Sequence, residues 1–341
     1  MATVVLTTGG TIASRRRGDA TLVAVDAAAE VVANAGVVEP DVRVEEFCRI
    51  GSYALTLPLL AALAERVRQL CAEPGVEGIV VTHGTDTMEE SAYLTDLGHT
   101  RRTAVVFTGA QLSADHPRAD GPANLRDAVL LAKNPEVARL GVLIAMAGRA
   151  YAAAEATKAH STALDPWGAA GTMPLAVVSE GRVIVARRPD PTPVPIVIPP
   201  ERAARRVDLV KLAVGVDGEL VRAAVAGGAE ALVVEAFGLG NAPRDVTAAI
   251  GEAVAAGVPV AVVTRCGAGP AAGVYGDGGG ADLERAGALM LSGFTGQRAR
   301  ILLAVALAAA DSRSTALELV RTRMSLRPHG RTGSEVDHEE N

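Results

Sequence analysis

Short runs of β-branched and aliphatic residues alternate along the chain with stretches in which apolar residues recur every three or four positions. Val4-Val5-Leu6, Ile79-Val80-Val81, Thr103-Ala104-Val105-Val106-Phe107 and residues 141–145 are of the first kind. Such runs are too short for helices and suit strands buried on both faces of a sheet. Leu59, Leu60, Leu63, Val67, Leu70 and Cys71 mark one face at helical spacing. Thr56 is placed to cap that helix, and Pro58 falls in its first turn, where a missing N–H costs nothing. A shorter helix is predicted over residues 26–35, and Val42-Arg43-Val44-Glu45-Glu46-Phe47 alternates as a half-buried strand does. Strands alternating with helices predict an α/β protein with a mostly parallel sheet. Residues 14–20 are polar and arginine-rich without an apolar period, and predict a mobile loop.

The pattern breaks once and resumes. Residues 188–200 carry prolines at positions 189, 191, 193, 195, 199 and 200 and cannot form a regular element. This predicts a domain over residues 1–187, a linker over 188–205, and a smaller α/β domain over 206–326. Strands are expected at 207–214, 231–236 and 258–264. Pro243 opens a helix with Val246, Ile250 and Val254 at i, i+4 and i+8, and a helix over 297–310 completes the domain. Residues 327–341, rich in polar and acidic residues, are expected to form a disordered tail.

Composition narrows the function classes. The 341 residues are 49% hydrophobic but only 3% aromatic, so the cores must be built from Val, Ala and Leu. A net charge of -6 argues against nucleic acid as a partner. Cys48, Cys71 and Cys266 are odd in number and scattered, and the six histidines lack ligand spacing, which leaves no metal and no cofactor as the expectation. The longest apolar helix candidate, residues 301–310, is about half the ~20 residues a bilayer span needs, so no membrane association is expected. Met1-Ala2-Thr3 runs into a strand with neither a charged leader nor a small-residue cleavage site. The expectation is a soluble, cytoplasmic protein.

The chemistry gathers where strands end. Ile79-Val80-Val81-Thr82 leads into His83-Gly84-Thr85-Asp86-Thr87-Met88-Glu89-Glu90, a turn carrying hydroxyls and a carboxylate before a helix. Ligands collect at the carboxyl ends of strands in α/β sheets. Asp86 is either a helix N-cap or part of a site. Thr11, Ser52, Thr85 and Thr108 all follow or end strand-like runs. A threonine hydroxyl needs a base within hydrogen-bond reach to act as a nucleophile. His83 either serves that need or points into the core. Of 33 basic residues only Lys133, Lys158 and Lys211 are lysines, and Lys158 lies among Thr157, Ser161 and Thr162. Lysine can give up its proton when desolvated and arginine cannot. Lys158 is therefore a candidate base, with a chance surface lysine as the alternative.

Two motifs, Thr8-Gly9-Gly10-Thr11-Ile12-Ala13 and Thr82-His83-Gly84-Thr85-Asp86-Thr87-Met88-Glu89-Glu90, resemble the signatures of the bacterial-type asparaginase/glutaminase family. Gly51-Ser52, Gly109-Ala110, Ala119-Asp120-Gly121-Pro122 with Asn124-Leu125, Thr157-Lys158 and Gly238-Leu239-Gly240-Asn241 resemble further landmarks in the same order. The resemblance runs to about Ala310. It implies a flavodoxin-like parallel-sheet domain followed by a smaller α/β domain, and hydrolysis of L-asparagine to L-aspartate and ammonia. It further implies that Thr11 forms an acyl-enzyme and that Thr85, Asp86 and Lys158 form a supporting triad, leaving open which threonine attacks first. Asp86 and Ser52 would meet the substrate's ammonium and carboxylate, and backbone N–H groups around Gly84, Thr85 and Ala110 the developing oxyanion. Asn241 would reach a neighbouring subunit's site in a homotetramer or homodimer.

Two departures stand out. The family's lid tyrosine has no counterpart in residues 14–30, and Tyr53 occupies a position that is often glutamine. Tyr53 either supplies a phenol from another direction or reshapes the pocket. The alternatives to an asparaginase are an amidase acting on glutamine, D-asparagine or another small amide, and a non-catalytic amino-acid-binding protein.

Overall fold

The computed structural model describes residues 2–19, 21–37, 39–168, 173–189 and 194–325. The predicted tail from Arg327 lies outside them. The chain divides into two compact units, residues 1–204 and 205–341.

The first unit is built on an eight-stranded sheet. Its spatial order is Arg182–Val185, Ala176–Ser179, Arg149–Ala152, Val142–Met146, Ala104–Thr108, Val76–Thr82, Ala2–Gly9, Val42–Ile50. The last five run parallel to one another and the first three antiparallel. Taken in chain order, the parallel strands sit 2-1-3-4-5, the doubly wound arrangement whose order reverses between Ala2–Gly9 and Val76–Thr82. Such a switch point opens a crevice at the strands' carboxyl ends.

Alternation of side chains along each strand builds two cores from one sheet. Val4, Leu6, Ile79, Val81 and Phe107 pack with Leu63, Val67, Leu70, Met88 and Ala92 from the helices Leu57–Ala72 and Met88–Gly98. Val5, Val80 and Val106 face Val31 and Val32 of Ala28–Asn34, and Leu125, Val129 and Leu131 of Gly121–Ala132. The predicted cap is in place, with the Thr56 hydroxyl accepting from the Leu59 N–H and Pro58 in the first turn. Among the described residues no helix is long and apolar enough to cross a membrane.

Three findings differ from the sequence reading. The arginine-rich stretch is a β-hairpin, Ser14–Arg16 antiparallel to Leu22–Ala24, rather than a loop without structure. Its turn is stitched by Asp19, whose carboxylate accepts from the Thr21 N–H and hydroxyl, and Arg15 pairs with buried Asp26. The three antiparallel strands past Met146 are each only four residues long, and the apolar pattern does not predict them. Residues 194–203 pack on the first unit, with Ile196 and Ile198 buried and the Ile196 N–H donating to the Leu97 carbonyl at 2.7 Å.

The second unit holds a four-stranded parallel sheet in simple order, Val207–Lys211, Ala231–Ala236, Val260–Thr264 and Leu289–Met290. Val246, Ala249, Ile250 and Ala253 of the helix Arg244–Ala255 are buried against it. Helix Gly296–Ala309 is followed by one more, Arg313–Ser325, which the apolar pattern did not predict.

Candidate active site

The crevice at the switch point is made by loops that approach within backbone contact. Gly10 has φ 80°, and a Cβ there would lie 2.5 Å from the Cα of Gly84. Gly84 in turn rests on Ser52, whose Oγ would stand 2.6 Å from a Cβ at Gly84. Only glycines permit these approaches, and they bring the segments carrying Thr11, Ser52 and Thr85 together. The Thr87 hydroxyl donates to the Ser52 carbonyl at 2.9 Å, tying the third segment to the second.

Lys158 arrives from a two-residue strand, Thr157–Lys158, paired with Trp167–Gly168. Its Nζ lies 2.8 Å from Thr85 Oγ1 and 2.7 Å from Asp86 Oδ1. Thr85 is buried, whereas the Asp86 side chain is 58% exposed. With its Asp86 end open to solvent the ion pair is screened, and its consequence is the aim of Lys158 rather than stability. Asp86 does not cap the following helix. The N-cap position of Met88–Gly98 is Thr87, which makes no side-chain cap bond.

His83 is fully buried. The Gly84 carbonyl, 2.7 Å from Nδ1, can only accept, so Nδ1 carries the proton and Nε2 accepts from the Ser91 hydroxyl at 2.9 Å. Burial pushes the imidazole down to about 4. It points into the core as a neutral group with both nitrogens engaged. Thr108 is likewise committed, its hydroxyl donating to the Ala145 carbonyl at 2.8 Å.

The turn after Ala104–Thr108 is held from behind by residues to which the sequence reading gave no role. Asn124 Nδ2 donates to the Gly109 carbonyl at 3.0 Å and to Asp120 Oδ2 at 3.1 Å, while its Oδ1 accepts from the Ala147 N–H. Asp120 accepts from the N–H groups of Gln111 and Leu112. A peptide is planar and trans, so a carbonyl held on one side aims the next N–H to the other. Asn124 therefore sets the direction of the Ala110 N–H. The Gly109 end of this turn abuts the Thr85 methyl, Cγ2 standing 3.4 Å from where a Cβ at Gly109 would be. Glu89 was also missed. It is buried and bonds the Thr157–Lys158 strand. Its place in the first turn of a helix gave only the ordinary signal of an acidic residue near a helix N-terminus.

Two predicted residues stand apart. Tyr53 is 81% exposed, and its ring lies back over Gly51. Asn241 belongs to the second unit, where its Oδ1 accepts from the Gly280 N–H at 3.1 Å. Among the described residues no group of three or more His, Cys, Asp or Glu side chains is placed to hold a metal.

Residues 3–191 match the profile of the asparaginase N-terminal domain, and residues 206–319 that of the glutaminase/asparaginase C-terminal domain. The chain belongs to the asparaginase family. Members of this family are hydrolases of amide C–N bonds. An L-asparaginase of Bacillus licheniformis is 31% identical over 306 residues, covering 89% of this chain and 94% of that one. A probable L-asparaginase of Deinococcus radiodurans is 34% identical, covering 90% and 92%. A crystal structure of a probable cytoplasmic L-asparaginase from Campylobacter jejuni superposes with a TM-score of 0.79 at 26% identity, covering 94% of this chain and 99% of that one. The thermostable L-asparaginase from Thermococcus kodakarensis shares the fold at a TM-score of 0.81, covering 94% and 97% at 24% identity. The asparaginase architecture of two α/β units thus extends over nearly the whole chain.

Proposed function

We propose that this chain is an L-asparaginase that converts L-asparagine and water to L-aspartate and ammonia through a threonyl acyl-enzyme. The contact of Lys158 Nζ with both Thr85 and Asp86 carries this reading, because it gives a threonine hydroxyl a base within hydrogen-bond reach. Thr11 attacks the side-chain amide carbon, and the C–N bond breaks as the Thr11 hydroxyl proton passes to the leaving nitrogen, which departs as ammonia. Water, activated at Thr85 by Lys158, then cleaves the ester and restores the Thr11 hydroxyl. Base assistance of this kind contributes about 10²–10⁴-fold. Asp86 holds the substrate's ammonium and Ser52 its carboxylate. The N–H groups of Gly84, Thr85 and Ala110 face the oxyanion, and each such donor is worth about 3–4 kcal/mol in acyl transfer.

A second reading has Thr85 attacking first, favoured by its direct bond to Lys158. Substrate preference is the other open axis. Exposed Tyr53, where glutamine is common in the family, favours an amide other than asparagine. We assign Asn241 to the site of a second copy in a homodimer or homotetramer, and the enzyme to the cytoplasm, in keeping with free thiols at Cys48, Cys71 and Cys266.

Ammonia release from L-asparagine, L-glutamine and D-asparagine, measured for the wild type, Thr11→Ala and Thr85→Ala, tests the reading. Rapid acid quenching and peptide mass analysis identify the acylated threonine. Tight binding of an amino acid with no turnover of any amide would leave a binding protein instead. Light scattering that gives a fully active monomer would remove the role of Asn241.

A further inference from the structure

The mechanism above uses the Lys158 side chain but leaves open what holds its backbone. Thr157–Lys158 is a two-residue strand whose only sheet partner among the described residues is the equally short Trp167–Gly168. A ribbon of this size is marginal by itself. The nearby Ala159 N–H donates to the Pro166 carbonyl at 2.8 Å, which closes the ribbon on itself without linking it to the Thr85 turn. Lysine is also a flexible four-carbon stem, so the stem by itself does not fix where Nζ stands.

One buried carboxylate makes the missing connection. Glu89 stands in the first turn of Met88–Gly98, three residues after Asp86, and is 4% exposed. Its Oε2 accepts from the Thr157 hydroxyl at 2.7 Å and from the Lys158 backbone N–H at 2.8 Å. Hydrogen bonds to an ionised acceptor are roughly twice as strong as neutral ones. Lys158 is thus held at both ends by a single stretch of chain. Thr85 and Asp86 take Nζ, and Glu89 takes the backbone.

We infer that Glu89 is a positioning residue that registers Lys158 on Thr85, so that the turn carrying the hydroxyl also dictates where its base stands. This rests on the proposed base role of Lys158. A displacement of about 1 Å at such a site can cost ~10²-fold in rate. Glutamine keeps a carbonyl oxygen able to accept both bonds, whereas alanine keeps nothing.

The test compares Glu89→Ala and Glu89→Gln. Glu89→Ala is expected to lower kcat about 10²-fold with KM within threefold, in protein shown by circular dichroism to be folded at the assay temperature. Glu89→Gln is expected to retain kcat within about tenfold. In a Lys158→Met background the Ala substitution should cost less than threefold further, because a residue acting through Lys158 has nothing left to position. A folded Glu89→Ala enzyme with wild-type kcat overturns the inference, as does an equal loss in both backgrounds.

A second readout needs no turnover. The chain has only three lysines, Lys133, Lys158 and Lys211, so reductive ¹³C-methylation yields a spectrum simple enough to follow each one. Glu89→Ala should move or broaden the Lys158 resonance and leave those of Lys133 and Lys211 in place. An unmoved Lys158 resonance counts against the inference. Should the wild type hydrolyse no amide, the functional reading fails while this spectrum still decides the role of Glu89.

Discussion

Two turns in this molecule have the same architectural address and opposite characters. Val76–Thr82 and Ala231–Ala236 are both interior strands of parallel sheets, and both run into glycine-bearing turns. After Ala231–Ala236 the backbone folds into a tight turn, and its longer-range bonds, Ala272 N–H to the Leu239 carbonyl and Gly280 N–H to Asn241 Oδ1, each involve a backbone group. The N–H groups of Gly240 and Asn241 both donate to the Phe237 carbonyl, and Phe237 pairs with Asn241 as an isolated bridge. After Val76–Thr82 the polar groups reach outward instead, Thr85 and Asp86 to Lys158, Thr87 to Ser52, and His83 to Ser91. The carboxyl end of a parallel strand is thus a permissive place for chemistry but does not supply it. A reactive site needs several polar side chains from distant segments that meet one another, as Thr85, Asp86 and Lys158 do, whereas the Asn241 side chain meets a backbone N–H.

The comparison can be broken most sharply at Lys158. Lys158→Met is expected to lower kcat by about 10²–10⁴-fold, the usual worth of a general base. Circular dichroism should show an unchanged fold, because the Asp86 carboxylate left behind is open to solvent. Next comes His83, which makes the first turn pH-sensitive from inside. Its imidazole sits near 4 when folded, so between pH 6.5 and 4 the unfolded chain binds a proton that the folded chain refuses. Stability from this group is present above pH 6.5 and is lost as the pH falls, by about 3 kcal/mol near pH 4. Urea unfolding at pH 7 and 4.5 should show the loss, and His83→Gln should flatten it.

Smaller effects sharpen the contrast. Asn124→Leu releases the Gly109 carbonyl and should cost about 10–100-fold in kcat with little change in KM, since it misaims the Ala110 N–H without removing it. In the second turn, Gly238 has φ 48° with open space where a Cβ would stand. Gly238→Ala should therefore cost only about 1–2 kcal/mol of stability, read from the unfolding midpoint, and leave kcat unchanged. The smallest expected change is at Asn241, where Ala removes one hydrogen-bonding group. A drop in kcat/KM of about threefold to tenfold matches a contact worth roughly 1 kcal/mol. A loss near that of Lys158→Met would mean that the second turn does belong to the reactive machinery.

Much of the fold was legible because buried parallel strands are nearly continuous apolar runs. Val4-Val5-Leu6, Ile79-Val80-Val81 and Val105-Val106-Phe107 are all completely buried in the large sheet. The helix beginning at Leu57 was legible from its cap and its apolar stripe alike. The hairpin at Ser14–Arg16 was not, because its edge strands bury too little for an apolar period to develop. The antiparallel strands Arg149–Ala152, Ala176–Ser179 and Arg182–Val185 were not legible for a different reason, since each is four residues long and offers too few positions for a period to stand out. Within the site, Thr85 and Asp86 drew attention because hydroxyls and a carboxylate are unusual at the tip of a tight turn. Glu89 and Asn124 fall in the motifs but carry no legible role, since an acid or amide on a helix looks the same whether it faces water or another loop.

The sequence by itself determined the α/β alternation, the two-part division of apolar patterning and the residue types available for chemistry. These follow from local periodicity and composition, which need no partner to be read. Only the tertiary structure decided which groups meet. It placed Lys158 on Thr85 across 73 positions of chain, turned His83 inward, gave the Asp86 carboxylate to Lys158 instead of the helix N-terminus, and gave Glu89 a backbone to hold. Hydrogen bonds span only about 3 Å, and no one-dimensional pattern records which distant segments packing will bring that close.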